Sequence, residues 1–259
     1  MQATFEEYCK KYESFVTMKR EDGILEMKLH SNGDVCRWDG VMHSQLGFCF
    51  ADVGSDQDNK VVILTATGDR FIDMPDMSVM EPYLPVTPQS YMPLIPESTR
   101  LLQNLLDIEA PIIAAVNGPA PVHPEFPALA DICLAADRAW FSDGFHFQNG
   151  WIAGDGTHVV WPLLLGHGRA QYFMMTAERI SAAEAKTLGF VNEVLPADQL
   201  NARAWELARQ IRQQPEVTLR AQRMLYTQPL KRALSEYLPF GLALEGLGEI
   251  NYLPLHLKE

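Results

Sequence analysis

A histidine and an aspartate separated by nine positions are the residues best suited to chemistry in this chain of 259 residues. Asp155 lies between Gly154 and Gly156, which predicts a tight turn that can aim its carboxylate back at His146. A carboxylate that binds Nδ1–H of an imidazole fixes the tautomer and leaves Nε2 free as a general base. The spacing alone also fits a structural histidine beside a turn aspartate.

A second histidine, His123, lies in the segment Pro119–Pro127, whose four prolines restrict the backbone. This segment follows the apolar run Pro111–Val116, which predicts a strand buried on both faces. Because α/β sheets bind ligands at the carboxyl ends of their strands, we expect His123 to lie close to a ligand site.

Three further residues are candidates for the same site. Trp38 and His43 flank the predicted start of a helix. A tryptophan such as Trp38 is more often a core residue than a functional one. Glu245 lies in an otherwise apolar helix. Because a lone buried carboxylate is costly, Glu245 either faces solvent or serves a purpose.

Other catalytic chemistries lack their motifs. The sequence has no GxSxG turn, no GxxxxGK[ST] phosphate loop and no HExxH metal motif. Its four cysteines include no CxxC pair, and no Cys/His spacing predicts a zinc site. What remains is His–Asp general-base chemistry that uses no cofactor, neither metal nor nucleotide.

The charge of the chain argues against several kinds of partner. Lys and Arg total 21 against 33 Asp and Glu, a formal net charge of −12, which repels nucleic acid and anionic lipid. The amino terminus lacks the basic and apolar regions of a signal peptide, and no apolar run reaches the ~20 residues of a membrane helix. We therefore expect a soluble, cytoplasmic protein that binds neither nucleic acid nor membrane and keeps its cysteines reduced.

The elements that must position these residues follow an α/β pattern. Alternating runs at Val16–Lys19 and Leu25–Leu29 around Glu21-Asp22-Gly23 predict a β-hairpin, and Asp39 predicts the start of a helix. Buried β-branched runs at Val61–Thr65 and Pro111–Val116 alternate with helices, which indicates parallel strand pairing. From about residue 197 to residue 250 the chain is predicted to be helical.

The segment Asp69–Glu97 combines six prolines with four methionines, and so long a loop is typically functional. Because methionine adapts its shape to apolar ligands, the segment predicts an apolar substrate pocket. The residues predicted to shape this pocket are Met74, Met77, Met80 and Tyr83.

Four motifs lie between residues 61 and 194. They are Val61-Val-Ile-Leu-Thr65 followed by Gly68-Asp-Arg-Phe71, Pro111-Ile-Ile-Ala-Ala-Val-Asn-Gly118, Asp131-Ile-Cys-Leu-Ala-Ala-Asp137, and the segment Ala182–Val194. Together they resemble the crotonase family, the enoyl-CoA hydratases and isomerases. The resemblance implies a crotonase-like spiral of ββα units over residues 1–196 and a C-terminal helical trimerisation region over residues 197–259. It also implies a homotrimer or a dimer of trimers.

The chain departs from that family where the family's usual chemistry is done. Crotonases bind a thioester oxygen with two backbone N–H groups. Here one donor position is Pro75, which has no N–H, and the other falls at His123 and its neighbours. Phe126 stands where family hydratases carry a catalytic glutamate, and Ala110 stands where a lysine of the CoA site is common. An ordinary enoyl-CoA hydratase is therefore not expected.

The altered residues resemble instead the β-diketone hydrolases, a CoA-independent branch that includes 6-oxocamphor hydrolase. The matching polar positions are Trp38, His43, His123, His146, Asp155 and Glu245. This resemblance implies a retro-Claisen reaction, in which water cleaves a C–C bond of a small apolar 1,3-diketone and gives a keto acid. His146, oriented by Asp155, would be the base, and His123 would donate to the oxygen that gains charge.

The remaining matched residues would bind rather than react. Trp38 and Glu245 would hold water or the nascent carboxylate, and His43 would line or support the pocket. Two other functions stay open from the sequence. One is an enzyme of the enoyl-CoA hydratase/isomerase kind that acts on a CoA or carrier-bound thioester. The other is a catalytically silent scaffold of the same fold.

Overall fold

The computed structural model describes residues 3–75 and 86–251. Six strands form one sheet in the order β1-β2-β3-β4-β5-β8, and two short strands, β6 and β7, form an antiparallel pair. The strands are β1 (Val16–Glu21), β2 (Ile24–Leu29), β3 (Val61–Ala66), β4 (Ile112–Val116), β5 (Ile132–Ala136), β6 (Trp140–Phe141), β7 (Ile180–Ser181) and β8 (Glu193–Leu195). From β2 to β8 every pairing in the large sheet is parallel, which confirms the predicted α/β class.

The predicted hairpin is confirmed. Strands β1 and β2 pair antiparallel around Asp22 and Gly23, whose φ angles of 50° and 76° give the left-handed turn that a two-residue hairpin needs. The next strands, β3 and β4, are buried at every residue, because both faces of the parallel sheet are covered.

Ten α-helices lie before, between and after the strands in the described part of the chain. They are α1 (Phe5–Lys11), α2 (Gly40–Ser55), α3 (Pro88–Tyr91), α4 (Leu94–Asp107), α5 (Glu125–Ala128), α6 (Thr157–Leu165), α7 (His167–Thr176), α8 (Ala182–Leu188), α9 (Ala197–Arg212) and α10 (Glu216–Asn251). Asp39 caps α2 as predicted, since its side chain accepts the backbone N–H of Met42 at 2.7 Å.

The two faces of the sheet are covered by different parts of the chain. Most helices pack on one face in a single large core, whereas α9 covers the other face with Leu200, Ala204, Trp205 and Ala208. The helical region predicted from residue 197 therefore begins with a helix that packs directly on the sheet. The boundary at residue 196 stays a prediction.

Helix α10 is the longest element, with 36 residues, and it packs against α3, α4, α6 and α9. It contains Pro229 and Pro239 and carries Glu245 near its end. Many of its apolar side chains are exposed. Among the described residues, no helix is both long enough and apolar enough to cross a membrane.

Candidate active site

Segments that are distant in sequence bring the predicted catalytic residues together. His123 follows β4, His146 follows β6, Asp155 precedes α6, and Glu245 lies on α10. Asp155 Oδ2 lies 3.8 Å from Nδ1 of His123 and 3.6 Å from Nε2 of His146, and Glu245 Oε1 lies 3.8 Å from the same Nε2. One buried cluster therefore contains all four side chains.

His146 is oriented by a carboxylate that the sequence analysis did not select. Its Nδ1 lies 2.8 and 2.9 Å from the two carboxylate oxygens of Asp143, three residues earlier. Asp143 Oδ1 also accepts the backbone N–H groups of Phe145 and His146, both at 3.3 Å, so a tight turn wraps around the carboxylate. The prediction that Asp155 binds Nδ1 is therefore wrong, because this local turn already occupies that nitrogen. Asp155 faces the opposite nitrogen.

Two glycines explain how Asp155 reaches the cluster. Gly156 has a φ of 118°, a conformation that only glycine adopts without strain. Gly154 lies directly against α10, where a Cβ atom would overlap the carbonyl oxygen of Gly241. The turn around Asp155 is thereby seated on the helix that carries Glu245.

This close seating gives the first testable prediction. Gly154→Ala must push the turn away from α10, and a displacement of about 1 Å in a catalytic group can cost about 10²-fold in rate. We expect a loss of that order in kcat/KM on an accepted substrate, with the fold retained. Gly168→Ala is the matched control, because a Cβ there meets no atom within 4 Å. Equal rates for the two variants would contradict this role of the glycine.

The carboxylates and imidazoles of the cluster shift one another's pKa values. Burial lowers the pKa of His146, but the charges of Asp143 and Asp155 outweigh it and raise that pKa well above its usual value. Burial alone raises the pKa of Asp155, yet His146 and His123 bring the net shift downward. The opposite charges therefore favour an imidazolium at His146 beside an ionised Asp155.

Helix α10 adds two acidic groups to the site. Burial, reinforced by the charge of Asp155, raises the pKa of Glu245 well above its usual value, which favours the neutral form of Glu245. Its side chain is 10% exposed, so it does not face solvent. One turn later on the helix, burial raises the pKa of Glu249 to about 7.

The second histidine is held as firmly as the first. His123 has a φ of 48°, and its ring stacks on Phe126 with 4.9 Å between centroids and 5° between planes. Trp38 packs on it from another side, at 3.9 Å between centroids. Its Nδ1 lies 2.6 Å from Oε1 of Glu125, the first residue of α5. His123 therefore belongs to a second histidine–carboxylate pair.

His43 supports the site from α2. Its Nδ1 lies 3.0 Å from Oε2 of Glu97 and its Nε2 lies 3.1 Å from the hydroxyl oxygen of Ser98, both on α4. A narrow cavity with room for about one water molecule separates this group from His123 and Asp155. The cavity is lined by His43, Ser98, Leu101, Leu102, His123, Glu125, Phe126 and Asp155.

With this geometry in place, comparisons with known proteins decide the family. The model that describes enoyl-CoA hydratase/isomerase proteins matches residues 19–245. The chain belongs to the enoyl-CoA hydratase/isomerase family. It is 29% identical over 205 residues to the 1,2-epoxyphenylacetyl-CoA isomerase of Escherichia coli K12, a match that covers 78% of this chain and 77% of that protein. It is 30% identical to the carnitinyl-CoA dehydratase of Proteus mirabilis over 61% of this chain and 60% of that relative.

Solved structures agree with the family assignment. The β-diketone hydrolase ABDH of the cyanobacterium Anabaena sp. PCC 7120, bound to (S)-3-oxocyclohexyl acetic acid, is 41% identical and superimposes with a TM-score of 0.91. That match covers 95% of this chain and 97% of the hydrolase. An enoyl-CoA hydratase/isomerase from Mycobacterium paratuberculosis superimposes with a TM-score of 0.84 at 24% identity over 92% and 94% of the two chains, which shows the shared fold alone.

This family member lacks several groups expected of an enoyl-CoA hydratase. Phe126 packs in the apolar core, against His123 and Trp38, where a hydratase glutamate was expected. Ala110 is likewise buried in that core. Arg70, the only cation of the segment 69–97, binds Asp73 at 2.9 Å, so its charge is already paired.

The predicted apolar pocket lies only partly within the described residues. Met74 is half-buried, packs against the large core and has its sulfur near Gly144, close to His146 in sequence. The other residues predicted to shape the pocket, Met77, Met80 and Tyr83, lie outside the described residues, and their role stays a prediction.

Donor atoms of His123, Glu125 and Asp155 all lie within 4.8 Å of one another, a spacing that a metal ion could bridge. These donor types are compatible with a divalent cation. The 2.6 Å bond between His123 Nδ1 and Glu125, however, commits that nitrogen to a proton shared with the carboxylate. That nitrogen is therefore not free to bind a metal ion.

Sequence reasoning missed the carboxylates that orient the histidines. Asp143 lies three residues before His146, and Glu125 lies two residues after His123. Each spacing is short enough for a turn to close, and that is the signal that could have found them. Ser98 and Glu97 carry no such signal, because only the packing of α4 on α2 brings them to His43.

Proposed function

We propose that the protein is a CoA-independent β-diketone hydrolase that cleaves a C–C bond of a 1,3-diketone with water and gives a keto acid. The observation that carries the proposal is the buried contact of Asp155 with both His123 and His146. This cluster supplies a base and a hydrogen-bond donor where a hydratase would use glutamates and backbone N–H groups. The similarity to the Anabaena β-diketone hydrolase supports the same substrate class.

Water activation would occur at Nε2 of His146. Asp155 and Glu245 lie 3.6 and 3.8 Å from that nitrogen, separations that suit one bridging water better than direct hydrogen bonds. Neutral His146 would take a proton from this water as the hydroxide adds to one carbonyl carbon. Asp143 would then stabilise the resulting imidazolium through its two short contacts with Nδ1.

His123 would stabilise the charge that develops on the carbonyl oxygen, through an Nε2–H donor. The tetrahedral oxyanion collapses, the C–C bond breaks, and the bonding pair leaves as an enolate that the second ketone stabilises. The imidazolium of His146 returns its proton to the enolate, so a cyclic diketone and water give one keto acid, and a linear diketone gives a carboxylic acid and a ketone. A neutral Glu245 can donate to the nascent carboxylate without repelling it, and Trp38 closes the site beside His123.

A screen of cyclic and linear 1,3-diketones tests this function. Enolates of 1,3-diketones absorb in the ultraviolet, and hydrolysis removes that absorbance. We expect turnover of at least one diketone with release of one carboxylate per C–C bond broken. Loss of absorbance without release of a carboxylate, or no turnover of any diketone, would reject the proposal.

His123→Ala should slow this reaction while the fold is retained. Removing one donor to a developing oxyanion typically costs about 10²–10³-fold in kcat. The measurement is kcat/KM on an accepted diketone, together with the molecular mass in solution as a check of assembly. An unchanged kcat/KM in a correctly assembled variant would contradict the donor role of His123.

The second candidate is an enzyme that acts on a CoA or carrier-bound thioester. Two relatives favour this candidate: they are 29% and 30% identical to the chain, and their names refer to CoA esters. Pro75, which lacks an N–H, and the buried Phe126 argue against it. Calorimetric titration with CoA and with crotonyl-CoA separates the candidates. Micromolar binding, or hydration of crotonyl-CoA at an enzymatic rate, would favour the thioester enzyme.

We also propose that the chain assembles as a homotrimer or a dimer of trimers through its C-terminal helical region. Support comes from the apolar side chains that α10 exposes, which exceed what a solvated helix usually carries. They are Val217, Met224, Leu225, Tyr226, Tyr237, Phe240, Leu244, Leu247 and Ile250. Analytical ultracentrifugation should give three or six times 29.1 kDa. A monomer at micromolar concentration would contradict the proposed assembly.

A further inference from the structure

Glu125 is the most completely buried carboxylate of the site. Its side chain is 0% exposed, and Oε1 lies 2.6 Å from Nδ1 of His123. Among the described residues, its second oxygen, Oε2, is buried without a hydrogen-bond partner. A carboxylate this deeply buried is stable only beside a cation or when it carries a proton. The state of Glu125 is therefore tied to the charge of His123.

The ring of His123 is not free to turn away from this carboxylate. The backbone at His123 is fixed in the left-handed region and is followed directly by Pro124. Phe126 stacks on one face of the ring, and Trp38 packs at 3.9 Å between centroids. Nδ1 is thus held toward Glu125, and Nε2 is the nitrogen that remains for a ligand.

This fixed orientation restricts what a neutral ring can do. In the neutral ring the single N–H is at Nδ1 and donates a hydrogen bond to the Glu125 carboxylate. Nε2 then carries only a lone pair. A lone pair repels the oxyanion that the reaction forms. Only the imidazolium carries N–H at both nitrogens, one for Glu125 and one for the ligand.

We propose that Glu125 is a positioning residue that keeps His123 in the imidazolium form, so that Nε2–H can donate to the carbonyl oxygen of the substrate. The role in catalysis rests on the proposed diketone hydrolysis. The effect on the charge of His123 does not, because it is a property of the protein without substrate.

Charged groups on other elements also act on His123. Asp155, which precedes α6, lies 3.8 Å from the same Nδ1 and also favours the cation. His146, when protonated, opposes it, and His43 of α2 borders the same cavity but is bound to Glu97 and Ser98. Burial lowers the pKa of His123, but Glu125, followed by Asp155, outweighs it, and the net shift is upward.

The test replaces Glu125 with glutamine and follows His123 directly. Nuclear magnetic resonance of the protein with labelled histidine rings gives the pKa of His123. The His123 signal is identified as the one that is missing from the spectrum of His123→Gln. We expect Glu125→Gln to lower this pKa by about one pH unit or more, and Glu125→Asp to restore part of the shift. Glu97→Gln is the matched control, since Glu97 binds Nδ1 of the neighbouring His43 and should leave the titration of His123 unchanged.

The same variants are then assayed on an accepted diketone. Because His123 is active as a cation, kcat/KM falls as the pH rises through its pKa. In Glu125→Gln this fall should move to lower pH by the same amount as the measured pKa of His123. At pH values above the His123 pKa of both proteins, kcat/KM of the variant should then be lower by about tenfold for each pH unit of that shift. Glu125→Asp should recover part of the loss.

Two outcomes would overturn the proposal. A pKa of His123 that is the same in Glu125→Gln and in the unaltered protein would show that Glu125 does not hold the charge. A lowered pKa with an unchanged pH profile would show that the charge does not serve the reaction. Failure of every diketone to react would instead reject the proposed function, while the resonance experiment would still decide the role of Glu125 in charging His123.

Discussion

Replacing His146 with alanine should lower kcat on an accepted diketone by about 10²–10⁴-fold, the contribution expected of a general base. Asp143 holds the imidazole through Nδ1, and Nε2 faces Asp155 and Glu245, so no other described group offers a basic nitrogen at that point. The side chain of His146 is 7% exposed, and its removal leaves a small polar cavity rather than an apolar void. The fold should therefore survive, and KM should change less than kcat.

The control for this variant is His167→Ala. His167 is exposed at the start of α7, and its replacement should leave kcat unchanged. Added imidazole should restore part of the activity of His146→Ala, because a small base can occupy the space that the ring leaves. Near-normal turnover by His146→Ala without imidazole would disprove the assignment of the base.

The sequence was sufficient to predict the elements that depend on local patterns. The hairpin at Asp22-Gly23, the capped start of α2 at Asp39 and the buried strands β3 and β4 each follow from a few adjacent residues. Helix α4 begins at Leu94, inside the segment Asp69–Glu97 that was predicted to be one long loop. Helix α3 comes just before it and begins with a capping box at Thr87, inside the same predicted loop.

The assembly of the site was predicted less completely, because it depends on contacts between distant segments. The sequence identified His146 and Asp155 but assigned Asp155 to the wrong nitrogen, since Asp143 satisfies Nδ1 within its own turn. The burial of Glu245 depends on the seating of α10 against Gly154, and no local pattern around residue 245 reveals it. Glu245 was selected through the resemblance to the β-diketone hydrolases, because the apolar periodicity of its helix does not single it out.

Asp155→Asn should produce a large loss together with a change in pH dependence. Asp155 is the carboxylate that contacts both histidines, so its loss removes a partner of the attacking water and a charge that favours both imidazolium ions. We expect kcat to fall by about 10²–10⁴-fold, as for loss of the base itself.

The direction of the pH change follows from the charge of His146. His146 acts as a base only when it is neutral, so kcat/KM rises with pH through its pKa. Asp143 and Asp155 raise that pKa against the effect of burial, and an uncharged asparagine removes one of these two contributions. The rise should therefore occur at lower pH in Asp155→Asn than in the unaltered protein, although the maximum rate is much lower.

A distant carboxylate provides the matched control for this shift. Glu193 on β8 is paired with Arg203 on α9, and Glu193→Gln removes the same charge from the protein without touching the site. Its pH profile should coincide with that of the unaltered protein. A rise in Asp155→Asn that moves to higher pH, or does not move, would mean that His146 is not the group whose deprotonation activates water. Asp155 would then be the base to test, with His146 as its protonated partner.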